Sequence, residues 1–180
     1  MRTSAIESML EEDHAQLDDL IVQLCAALEE RDVERSFYLL DLVWARLAIH
    51  IRAEHLCLFP ALLDAARQLS ASENGIPRFD EAQGVINRLR HDHDFFMVEL
   101  ARAVNTMRGV MSSKDSHTAD GQLRDVQKTI IAVKVRLEEH NKLEEEQVYH
   151  WPVTLLDSSR QAQLAECVWR EIENMPPRFS

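Results

Sequence analysis

The stretch VKVRLEEHNKLEEEQV, Val133 to Val148, decides how the rest of the chain is read. Taken every third or fourth residue, its stripe runs Val126, Ile130, Val133, Leu137, His140, Glu144, Val148. That is the period of an amphipathic helix. Yet the face that should be apolar carries a histidine and a glutamate in mid-course.

The same pattern recurs along the chain. From Ser4 to Glu30 the stripe is Leu10, His14, Leu17, Ile21, Leu24, Leu28. A second segment places Leu40, Val43, Leu47, His50, Glu54 and Leu58 on one face, before Pro60 kinks or restarts the helix. A third, from Phe79 to about Met111, carries Ile86, Leu89, His93, Phe96 or Met97, Leu100, Val104 and Met107. The connections are the charged turn ERDVE, the run QLSASENGIP (Gln68 to Pro77) and the polar run SSKDSHTADG (Ser112 to Gly121), each read as a loop. WPVTLLDSS breaks the fourth helix. Ser158 or Ser159 then caps a fifth, short helix from Arg160 to Glu173, and the tail NMPPRFS is irregular. Little period-2 alternation competes with this reading. The prediction is an all-α, up-down-up-down four-helix bundle with a short additional C-terminal helix. It forms one domain over residues 1–180, with the core bundle at about 4–150 and an extension at 151–180. The fifth helix, with Cys167, Val168 and Trp169, either covers the bundle or makes a homodimer contact, and packing within the chain is the commoner outcome.

Composition narrows the partners. The chain has 180 residues but only four Gly and five Pro, which suits helices. A net charge of −11 argues against nucleic acid, whose phosphates need a basic footprint, and against an anionic membrane surface. No apolar run approaches the roughly 18 residues of a spanning helix. The start, MRTSAIESMLEEDH, turns acidic too soon for a secretory signal. The expected location is the cytoplasm. Cys25, Cys57 and Cys167 are therefore read as reduced thiols, with Cys57 acting as a small buried hydrophobe and no thiolate zinc site.

Numbering alone tests whether the four stripe histidines meet. In an antiparallel hairpin, residues equidistant from the turn lie side by side. The midpoint of 14 and 50 is position 32, in the first turn; that of 50 and 93 falls between 71 and 72; that of 93 and 140 falls between 116 and 117. All three midpoints lie in predicted connections, so the histidines share one depth. Two begin His-x-x-x-Glu pairs, His50–Glu54 and His140–Glu144, and residues four apart share a helix face. One such pair is expected by chance. Two in core stripes at matching depth are not.

Four imidazoles and two carboxylates then converge inside an apolar bundle. An ionised, unpaired buried carboxylate costs several kcal/mol, and two facing each other also repel. Metal resolves this. Six ligands are too many for one tetrahedral zinc and suit two ions of higher coordination number, bridged by the carboxylates. Mixed imidazole and carboxylate favours iron or manganese over calcium or magnesium. The candidate ligands are His14, His50, Glu54, His93, His140 and Glu144. Other polar groups read as bystanders. His55 points about 100° from Glu54 and is peripheral; His91 is solvated; His117 lies in a loop; His150 lies just past the fourth helix; Asp18, Glu145 and Glu146 face solvent.

Taken together, EDH (Glu12 to His14), HIRAEHLCLFP (His50 to Pro60), HDH (His91 to His93) and HNKLEEEQVYH (His140 to His150) resemble the hemerythrin-like, or HHE cation-binding, domain family. The halves repeat: Asp13-His14 and Asp92-His93 each precede an HxxxE helix, although the second Phe-Pro has become Tyr149-His150. The resemblance implies a bundle holding two iron ions bridged by an oxo or hydroxo group, with Mn or Zn able to substitute, on the six residues named. Oxygen carriers of the family place two histidines four apart on the third helix. Here Leu89 and Met97 flank His93, and the fourth-helix carboxylate is Glu144 rather than Asp. The centre thus resembles the four-histidine, two-glutamate members, some of which are associated with iron–sulfur cluster repair and with nitric-oxide or oxidative stress.

Three functions stay open, and whether the chain is an enzyme stays open with them. The leading one is a di-iron protein that binds or reacts with O2, NO or peroxide, in sensing or stress response, with Leu17, Leu47, Val133 and Leu137 keeping the site dry. The second is cluster repair, iron donation, or NO or peroxide reduction. The third is a structural or regulatory bundle that metal holds together.

Overall fold

The computed structural model describes residues 4–69, 77–177 and 179. Four helical rods pack antiparallel. The first is α1, Ala5–Glu29. The second is α2, Val33–Ala53, continued through one π-helical turn, Glu54–Leu58, into α3, Phe59–Gln68. The third and fourth are α4, Phe79–Ser112, and α5, Ser116–Glu146. They pack in the cyclic order α1, α2, α4, α5 and back to α1, the predicted up-down-up-down arrangement. No strand occurs among the described residues.

Local chemistry sets the ends. Ser4 and Glu7 form a reciprocal capping box at the start of α1. At its other end Arg31 takes the left-handed conformation (φ 58°), and the Asp32 N–H donates to the Ala27 carbonyl, so the chain reverses at once. Asp32 then caps α2. The π turn lies directly ahead of Pro60, which has no N–H to give. The Phe59 N–H reaches back five residues to the Glu54 carbonyl, and the widened turn makes room for the ring.

Two predicted boundaries are corrected. The Ser112–Gly121 run is mostly helical: Asp115 accepts hydrogen bonds from the His117 and Thr118 N–H groups and starts α5, which leaves only a short connection. His117 therefore sits in the first turn of a helix, exposed, and not in a loop. Most of the Gln68–Pro77 loop lies outside the described residues. After α5, a 3-10 turn (Val148–His150) leads into α6, Trp151–Leu155. The last helix, α7, spans Ser158–Ile172 and is capped by Asp157 rather than by a serine. It packs within the chain, on α2, α1 and the π turn.

That packing corrects the cysteine reading. Cys57, on the π turn, and Cys167, on α7, form a disulfide with Cα atoms 5.9 Å apart. They are 110 residues apart in sequence, so only the docking of α7 brings them together. Cys25 is free and half-buried.

The apolar core falls into two bodies. One gathers residues such as Leu17, Leu47, Phe96, Val133 and Leu137 toward the α1–α2 turn. The other gathers Leu10, Leu58, Phe59, Leu89, Val148 and the short C-terminal helices. Between them lies a buried polar layer that contains every histidine of the four stripes.

Candidate metal centre

Each rod contributes its histidine where its stripe crosses this layer. His14, His50, Glu54, His93, His140 and Glu144 all come together, and none is more than 3 % exposed. They form two facing pairs. His14 Nε2 is 3.1 Å from His50 Nε2, and His93 Nε2 is 3.0 Å from His140 Nε2. The carboxylates span the pairs. Glu54 Oε1 lies 3.6 Å from His50 Nε2 and its Oε2 lies 3.2 Å from His93 Nε2. Glu144 Oε2 lies 3.4 Å from His14 Nε2 and its Oε1 lies 3.2 Å from His140 Nε2.

The outer nitrogens explain why the inner ones are free to bind. His14 Nδ1 is 2.8 Å from Glu145, His50 Nδ1 is 2.9 Å from Asp13, and His140 Nδ1 is 3.4 Å from Asp92. His93 Nδ1 is 2.8 Å from His55 Nε2. Each outer N–H donates to its partner, which fixes the tautomer with the Nε2 lone pair pointing inward. Lone pairs would then face each other at 3.0–3.1 Å, which is repulsive unless a cation lies between them. Glu54 Oε2 and Glu144 Oε1 are buried with no hydrogen-bond donor. The donor set therefore fits a bound cation.

Without a cation the layer holds protons instead. Burial works against a charged His50, but Glu54 and Asp13 outweigh it and hold its pKa well above the ordinary value. Against the same burial penalty, Glu144 and Glu145 raise His14, and Glu144 raises His140. Burial alone would raise Glu54; His50 and His93 bring it well below. Burial and the two glutamates push the Tyr149 phenol well above its usual range.

The surrounding residues repeat in the two halves. Asp13, beside His14, accepts from His50 and from Arg46; Asp92, beside His93, accepts from His140 and, at 2.8 Å, from Arg136 Nε. Glu145 follows Glu144 and holds His14; His55 follows Glu54 and holds His93. Phe59, five residues past Glu54, stacks on His93 (6.0 Å, 11°), and Tyr149, five residues past Glu144, lies over His14 (5.5 Å, 34°). The sequence carries this as Arg-Leu-x-x-His-x-x-x-Glu at 46–54 and again at 136–144. That repeat is the signal that would have found the two arginines and, with Asp-His, the two aspartates.

Two assignments of bystander are corrected here. The second rod sits between α1 and α4, so a residue off its core stripe still faces a neighbour, and His55 on the π turn reaches His93. Glu145 reaches His14 in the same way across α1. The remaining bystanders stay outside: His91, His117 and Asp18 are exposed, and His150 pairs with Glu7 at 3.2 Å.

Fold and site together define a metal-binding helical bundle. The family model of the hemerythrin HHE cation binding domain matches residues 5–151, and the chain belongs to that family. Comparisons with curated proteins and with solved structures returned no match.

Proposed function

We propose that the chain is a non-haem di-iron protein that binds or reacts with a small diatomic or peroxide: O2, NO or H2O2. In this reading His14 and His50 would hold one ion and His93 and His140 the other, with Glu54 and Glu144 shared between them. One observation carries the reading. Two pairs of inward lone pairs, each at about 3 Å, are spanned by two carboxylates whose oxygens divide between the pairs. Iron bound there supplies redox activity and coordination positions that the six residues leave open.

The chain's own residues orient and enclose that site. The Nδ1 partners occupy the outer nitrogen of each imidazole, leave Nε2 as the inward ligand atom and fix the ring plane. Leu17, Leu47, Val133 and Leu137 are buried beside the layer, and Phe96 packs edge-on against His140 at 5.3 Å. This apolar wall keeps water out, admits an uncharged diatomic and slows the escape of charged products.

The test is metal content with an optical spectrum, on protein purified without chelators. About two irons per chain with near-ultraviolet oxo-to-iron bands is the expected result. No metal after anaerobic iron loading would refute the proposal. Product formation from NO or peroxide would place the chain among enzymes; unchanged O2, NO and peroxide would leave a metal-stabilised bundle.

A further inference from the structure

Tyr149 is one of two tyrosines in the chain, and it is fully buried against the polar layer. Its hydroxyl oxygen lies 2.9 Å from Glu54 Oε1, 3.1 Å from Glu144 Oε2, 3.1 Å from His14 Nε2 and 3.5 Å from His50 Nε2. All four atoms belong to the candidate ligands, and His14, His50 and Glu144 among them form one metal-sized cluster. We propose that Tyr149 is a seventh protein ligand, its phenolate oxygen binding the ion held by His14 and His50. The proposal rests on the di-metal reading above and deepens it.

Hydrogen bonding accounts for the contacts only while the layer holds its extra protons, and not once His14 Nε2 and the carboxylates are free to act as ligands. A hydroxyl has one proton and donates it once. Glu54 and Glu144 both accept, and the His14 Nε2 lone pair also points inward because its Nδ1 donates to Glu145. Whichever acceptor takes the proton, the tyrosine oxygen is left within about 3 Å of two more lone pairs. A cation among these atoms turns each of those contacts into neighbouring ligands. Spacing agrees: adjacent donors of an octahedral ion with bonds of about 2.0–2.2 Å lie about 2.8–3.1 Å apart. Three of the four distances from the tyrosine oxygen fall in or at the edge of that range, and the fourth, to His50, is slightly longer. On loading, the phenol O–H bond breaks, a metal–oxygen bond forms, and the proton leaves to solvent. No electron is transferred.

The repeat of the two halves shows that the second ion has no such ligand. The position matching Tyr149 is Phe59, which stacks on His93 and has no oxygen. One ion thus has five protein ligands and the other four. The open position falls on the ion held by His93 and His140, and His140 lies on the wall of a surface cleft of about 780 Å³ between α4 and α5. That is the side on which a diatomic or peroxide binds.

The experiment is resonance Raman and visible absorption on full-length protein loaded anaerobically with ferrous iron and oxidised with ferricyanide, with iron counted in each sample. Expected are a visible charge-transfer band with tyrosinate ring modes in the native protein and in Tyr38→Phe. Tyr149→Phe should lose both while keeping about two irons. If Tyr149→Phe fails to fold, ring-deuterated tyrosine in Tyr38→Phe, where Tyr149 is the one tyrosine left, shifts those modes and gives the same answer. Two irons without tyrosinate modes would overturn the ligand role and leave the di-iron reading intact, as would modes that persist in Tyr149→Phe. No iron in any sample would overturn both.

Discussion

Asp13→Asn tests the hydrogen bond behind His50 in the polar layer, where the same carboxylate also accepts from Arg46. Asp13 is 3 % exposed and accepts from His50 Nδ1 at 2.9 Å, as a charge-assisted bond does. Asparagine keeps the shape and an acceptor oxygen but removes the charge. A bond to a charged group contributes about 1.5–3 kcal/mol and a neutral one about 0.5–1.5. The difference, about 1–1.5 kcal/mol, is roughly tenfold in metal affinity, at the low end of the range for residues that support a ligand. The matching contact in the other half is longer, 3.4 Å between Asp92 and His140, and Asp92 is more exposed. Asp92→Asn should therefore cost clearly less, on the order of threefold or under. Anaerobic competition for ferrous iron against a chelator of known affinity reads both, with circular dichroism as the folding control. Equal affinities in the native protein and Asp13→Asn, or a larger loss in Asp92→Asn, would refute the view that these carboxylates set ligand strength.

The metal-free protein should be most stable in mild acid. His14, His50 and His140 have raised pKa values, so the stability they contribute is fully present below 6.5 and is lost as pH rises through their folded values. Glu54 and Glu144 are lowered, so theirs is present above 4.5 and lost as pH falls. Urea midpoints of chelated protein should peak between these values, and a monotonic rise toward alkaline pH would contradict the assignment. Cys167→Ser should destabilise the chain. The chain-entropy expression for a separation of 110 residues gives about 5 kcal/mol, and an unchanged urea midpoint under non-reducing conditions would show that the crosslink carries no stability.

What was legible in the sequence follows from periodicity. The four rods, their order and the shared depth of His14, His50, His93 and His140 all come from stripes and midpoints, which a regular helix preserves. The corrections fall where regularity ends. Asp115 caps a helix through a run whose polar residues read as loop. Tyr149 lies beyond α5, on a 3-10 turn, so no stripe pointed it inward. The Cys57–Cys167 bond depends on where α7 docks, which spacing does not encode. His55 and Glu145 sit off the core stripe and reach the layer only because a rod in a bundle meets neighbours on two flanks.

The polar layer also divides the molecule mechanically. The apolar body on one side holds the α1–α2 turn and the long uninterrupted packing of α1, α2, α4 and α5. The other holds the π turn, the disulfide and the short helices α3, α6 and α7, packed on the ends of α1 and α4. Short pieces open more easily than long rods, so the end built on them should open at a lower free energy than the other. The seam between them is the layer of histidines and carboxylates. Whatever binds there sets how tightly the fraying of one end is coupled to the persistence of the other.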